Sequence, residues 1–193
     1  MSRTTMTAVA AAAVAVLAGC GTGAGAVPGP GMMNGAGSAG YTYSGPTCAA
    51  PATLPGHTVT VMLADAGMGS MMGGTAPLGA PMMLRSMPAT VAAGRISLVA
   101  QNRGWRTHEL VVLPLRAGSV AGALVPGADG RVDETGALGE ASATCAADGG
   151  DGITGGAVGW TTVTLPAGRY ELVCNLANHY ADGMHQELDV TAG

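Results

Sequence analysis

Polar and apolar residues alternate along His57-Thr58-Val59-Thr60-Val61-Met62-Leu63 as far as Val61, after which the run turns apolar. Successive side chains of a strand point to opposite faces, so this pattern predicts a β-strand. Similar signals recur downstream. Residues 96–100 (Ile-Ser-Leu-Val-Ala) follow a break at Gly94, and residues 109–115 are β-rich and more continuously apolar, as for a strand covered on both sides. Residues 160–165 are strand-like and run into Pro166-Ala167-Gly168, a turn. The next run, Tyr170-Glu171-Leu172-Val173-Cys174, puts Tyr170, Leu172 and Cys174 on one face, and residues 186–190 alternate with Leu188 and Val190 inward. Period-two runs, turn signals and no long amphipathic helix predict an all-β sandwich or barrel.

Two segments interrupt the strands. Residues 66–90 hold Met68, Met71, Met72, Met82, Met83 and Met87 among Gly and Pro, with no obvious strand pattern. Their thioethers could serve as adaptable core filler, a plastic surface or a Cu(I)-binding cluster. Residues 117–158 are Gly-rich and acidic, with Asp129, Asp133, Glu134, Glu140, Asp148 and Asp151 against Arg131. A loop that long is unusual in a compact domain, so short strands or turns are expected within it. Its acidity reads as a solvated surface, or else as a docking face for a basic partner.

The N-terminus carries other signals. Arg3 precedes an apolar run over residues 8–18, shorter than the roughly 20 residues that span a bilayer but long enough for a signal-peptide core. The run ends in Leu17-Ala18-Gly19-Cys20, which resembles a bacterial lipobox, in which Cys20 would be lipidated. An ordinary cleaved signal is the alternative. The expected organisation is a lipoprotein signal over residues 1–19, a flexible Gly/Ala/Pro tether over 20–45 and a folded domain over 46–193. The domain would then work on the outer face of a cell membrane, held by its lipid. With a net charge of −4, no Lys and 3% aromatics, the chain lacks the cationic clusters and stacking platforms of a nucleic-acid binder.

Of four cysteines, Cys20 is assigned to lipid and Cys174 to metal. An oxidising compartment favours pairing the other two, Cys48 with Cys145; a second metal site is the rival, but neither has a Cys or His nearby at ligand spacing.

The metal assignment rests on Cys174-Asn175-Leu176-Ala177-Asn178-His179-Tyr180-Ala181-Asp182-Gly183-Met184. The spacing Cys-x4-His-x4-Met brings together a thiolate, an imidazole and a thioether directly after a strand. Soft sulfur ligands favour Cu(I), imidazole suits both oxidation states, and two His, one Cys and a weak axial Met make a blue-copper site. His108, on another strand, is placed to supply the second imidazole. Zinc is a weaker rival because thioether binds it poorly; a reduced core cysteine with incidental neighbours is the plain alternative. His57 and His185 read as surface or structural residues.

These residues lie in a wider pattern. Gly94-x-Ile-x-Leu-Val-x-x-Asn102-x-Gly104-x-x-x-His108-Glu109-Leu110, followed by Leu165-x-x-Gly168-x-Tyr170-x-Leu172-x-Cys174-Asn175-Leu176-x-Asn178-His179-Tyr180-x-x-Gly183-Met184, resembles the cupredoxin family of blue copper proteins, in particular its longer, membrane-attached, sulfocyanin-like members. The resemblance covers roughly residues 57–193. It implies a Greek-key β-sandwich with one copper near one end, held by His108, Cys174, His179 and Met184. It also implies an apolar rim of Leu176, Ala177, Tyr180 and Ala181 where a redox partner protein of the membrane or cell envelope docks. Asn178 departs from the Gly that many relatives carry there. The expected function is one-electron transfer rather than catalysis. Copper delivery through the Met-rich segment is the alternative, and a copper enzyme is disfavoured because the chain has no His-x-His pair for further copper sites.

Overall fold

The computed structural model describes residues 46–65 and 78–193. The signal, the lipidation residue Cys20, the tether, and Met68, Met71 and Met72 lie outside the described residues. Among the described residues nine strands form in chain order: β1 (His57–Asp65), β2 (Met82–Met87), β3 (Thr90–Ala92), β4 (Gly94–Asn102), β5 (Leu110–Pro114), β6 (Gly139–Ala141), β7 (Val158–Leu165), β8 (Gly168–Val173) and β9 (His185–Thr191). They pair in two sheets, ordered β2-β1-β4-β7 and β3-β9-β8-β5-β6. Consecutive strands β4 and β5, and again β7 and β8, lie in different sheets, so the chain crosses the sandwich repeatedly. This is the all-β sandwich that the alternation predicts. No described helix is long and apolar enough to cross a membrane.

The register explains the core. β1 runs parallel to β4 with Val59 opposite Leu98 and Leu63 opposite Asn102. Val59, Val61 and Leu63 therefore point inward together with Ile96, Leu98 and Ala100, all fully buried. From the other sheet come Leu110, Val112, Leu172, Leu188 and Val190, in the same apolar cluster. Each such side chain withdrawn from water contributes about 1.5–3 kcal/mol. Cys174 and Met184 belong to this cluster, so two of the expected donors sit inside the core at one end of β8 and β9.

Strand β5 is covered on both faces, as its unbroken apolar pattern predicts. Val111 and Leu113 form a second cluster with Val132, Val173 and Tyr180. Val132 comes from the acidic insertion, which therefore packs against the outer face of the second sheet and is not a wholly solvated loop. The insertion holds a short strand, β6, and Cys145 pins it through a disulfide to Cys48 (S–S 2.11 Å). The Met-rich segment also differs from expectation. Met82, Met83 and Met87 lie in β2, where Met83 pairs with Ala64 and Met82 with Asp65. Met82 packs against the main core, so that pair is sheet and core rather than loop.

Candidate metal centre

β8 ends at Val173, and Cys174 follows it with its side chain still in the inward phase. The loop then returns tightly. His179 N–H donates to the Leu176 carbonyl, Met184 N–H to the His179 carbonyl, and Cys174 N–H to the Met184 carbonyl. Met184 is thereby fixed beside Cys174 and His179. Two residues of this loop have left-handed backbone, Asn178 (φ 72°) and Gly183 (φ 98°). Asn tolerates that region better than other residues with a Cβ, which is why Asn178 can stand where Gly is common. Its N–H donates to the Gly130 carbonyl, tying the loop to the insertion.

His108 arrives from the other side, just before β5. Asn102, at the end of β4, shapes its approach. The Asn102 Oδ1 accepts the Gly104 N–H, and its Nδ2 donates to the carbonyls of Arg106 and Ile153. This is the physical content of the Asn-x-Gly-x3-His spacing.

His108, Cys174 and His179 are all buried, and their ligand atoms converge. His108 Nδ1 lies 3.1 Å from His179 Nδ1 and 3.9 Å from Cys174 Sγ, and His179 Nδ1 lies 3.3 Å from that sulfur. A point equidistant from all three atoms is about 2 Å from each, close to the roughly 2.0–2.3 Å of metal–imidazole and metal–thiolate bonds. The donors are soft and borderline, with a buried thioether residue adjacent, which matches a type 1 copper ion better than zinc. A two-sheet β-sandwich thus brings two His and one Cys together, with Met184 next to them in the same loop.

The protonation chemistry pulls in two directions, against metal binding at Cys174 and for it at His179. Burial pushes the Cys174 thiol up to about 12, with a 3.3 Å hydrogen bond from the Glu109 N–H pulling the other way. The metal-free site therefore holds a thiol, and binding must displace its proton. Burial and then the neighbouring His108 push His179 down to about 4, so its imidazole is neutral and available near neutral pH. Outer groups hold the loop. The Glu109 carboxylate accepts the Asn175 N–H, and Asn175 in turn accepts the Val132 N–H and donates to Glu134.

Glu109 was not singled out by sequence reasoning, yet it is buried beside the thiol. Burial, followed by the charges of Glu134 and Glu140, pushes its carboxyl up to about 7. A carboxyl raised above its ordinary value contributes stability in full below the unfolded value of about 4.5, and loses it as pH rises through 7. The metal-free Glu109→Gln variant should therefore gain on the wild type by on the order of 2–3 kcal/mol between pH 4.5 and 8. His179, depressed rather than raised, acts in the opposite direction over about pH 4–6.5 in both proteins and cancels from the comparison. Urea titrations across that range check this, and parallel curves for the two proteins would refute it.

The expected docking rim needs correction. Tyr180 is buried, its hydroxyl accepting the Leu124 N–H and donating to Glu171, because the insertion covers it. Leu176 and Ala177 are half-buried and Ala181 is exposed. His179 itself is 4% exposed. His185 stacks near Tyr180 with ring centroids 4.9 Å apart, which fits the structural role expected of it.

No protein-family model matches the chain, and no curated protein matches it. Among solved structures, it is similar to auracyanin B (19% identity, TM-score 0.43, covering 76% of this chain and 96% of that one). It is also similar to auracyanin A, a "blue" copper protein from Chloroflexus aurantiacus (16% identity, TM-score 0.40, covering 69% and 99%). A third is rusticyanin from Thiobacillus ferrooxidans (22% identity, TM-score 0.35, covering 70% and 79%). Likeness at this level assigns no chemistry, so the copper reading rests on the chain's own donor atoms.

Proposed function

We propose that the protein is a one-electron carrier with a type 1 copper site formed by His108, Cys174, His179 and Met184. The convergence of His108 Nδ1, His179 Nδ1 and Cys174 Sγ on one point carries the reading. Copper bound there would supply a Cu(I)/Cu(II) couple. The chain's own part is to hold the donors in one buried arrangement, so that little has to move when the charge changes. Glu109 N–H supports the sulfur, the hydrogen-bonded loop from Cys174 to Met184 fixes three of the donor residues, and the core excludes competing ligands.

The carrier reading extends to place and partner. A lipid on Cys20 and a tether over residues 20–45 would hold the domain at the outer face of a cell membrane, within reach of a redox partner protein of the envelope. Redox titration of the copper-loaded protein tests the function. Reversible one-electron cycling at one copper per chain is expected; slow, irreversible cycling with additional Cu(I) would favour delivery instead. For the anchor, Cys20→Ser is expected to move the protein from the membrane fraction to the soluble one in a lipoprotein-processing bacterium. An unchanged distribution would refute lipidation at Cys20.

A further inference from the structure

The ring of His108 has two nitrogens with different tasks. Nδ1 faces Cys174 and His179, while Nε2 lies 3.0 Å from Asp65 Oδ1, with both side chains buried. Asp65 is the last residue of β1, 43 positions before His108. The same Oδ1 also accepts the N–H of Trp105 at 2.9 Å and of Arg106 at 3.0 Å. One oxygen thus gathers three donors and fixes the loop that delivers His108. Gly104 leaves the space for it, since a Cβ there would come 1.9 Å from Asp65 Oδ1.

An ionised carboxylate only accepts hydrogen bonds, so the ring must carry its proton on Nε2. That leaves the Nδ1 lone pair directed at the other donors. A negative charge against the outer nitrogen of a metal-bound ring stabilises the more highly charged metal state.

We propose that Asp65 is a positioning residue of the metal centre, fixing His108 as the Nε2–H tautomer and favouring Cu(II) over Cu(I) through that ring. The proposal rests on the copper reading for its second half and on geometry alone for its first. Two variants separate the effects. Asp65→Asn keeps an acceptor oxygen and removes the charge. It should retain the visible copper band while the ratio of Cu(II) to Cu(I) affinity falls tenfold or more, a rise in reduction potential of about 59 mV per tenfold. Asp65→Ala removes the acceptor and should weaken Cu(II) binding about 10–100-fold. Nitrogen-15 NMR of the metal-free wild type reads the tautomer without copper and should show the His108 proton on Nε2. A His108 proton on Nδ1, or an Asp65→Asn potential equal to or below that of the wild type, overturns the proposal. A wild type that never turns blue overturns the copper reading instead and leaves the tautomer test standing.

Discussion

Cys174→Ser is expected to abolish the intense visible absorption of the copper-loaded protein and to leave the sandwich folded. The band requires charge transfer from a thiolate to copper, and Cys174 is the free cysteine among the described residues. A serine oxygen is a hard donor with no comparable low-energy transition, and it binds Cu(I) poorly. The side chain is fully buried, but a hydroxyl can still accept the Glu109 N–H that now reaches the sulfur at 3.3 Å. The loop's backbone bonds, Cys174 to Met184 and Met184 to His179, do not depend on the sulfur. Copper affinity should fall by more than the roughly 10–100-fold typical of losing an outer partner. Absorption spectra and competition titrations check both effects. A variant that stays intensely coloured would show that the thiolate is not the ligand.

The double variant Cys48→Ala/Cys145→Ala has the largest expected effect on stability. The disulfide closes a sequence separation of 97 residues, for which the chain-entropy model gives about 4.7 kcal/mol, and losses of about 2–5 kcal/mol are typical. It ties the segment before β1 to the insertion after β6. The insertion in turn covers β5 and, through Gly130, holds the His179 loop. None of the four donors lies in the two tied segments, so copper binding should survive wherever the variant is folded. Denaturant titrations of both proteins measure the loss. Coincident unfolding midpoints would mean that neighbouring contacts alone hold the insertion in place.

The long strands were legible because each has one apolar face at period two, or two apolar faces in the case of β5. β2, β3 and β6 were not. β3 and β6 have three residues each, too few for a period, and β2 places Ser86 at an inward position beside Leu84, which blunts its alternation. The donors of the site were legible for a chemical reason: copper demands particular atoms, and three of the four lie within one loop. Asp65 and Glu109 carried no such mark. Asp65 meets His108 only because parallel pairing of β1 with β4 sets Leu63 opposite Asn102, bringing the end of β1 beside residues 104–106. Tyr180 was misread as rim because nothing local reveals that Leu124 and Val132, some fifty residues away, would fold over it.

The central claim is that His108, Cys174, His179 and Met184 form one type 1 copper site. Its most direct test is a Cu(II) titration of the metal-free protein followed by visible absorption. An intense thiolate-to-copper band that grows linearly and stops at one copper per chain is the expected result. A colourless or merely pale complex, formed while Cys174 is still a reduced thiol, would contradict it.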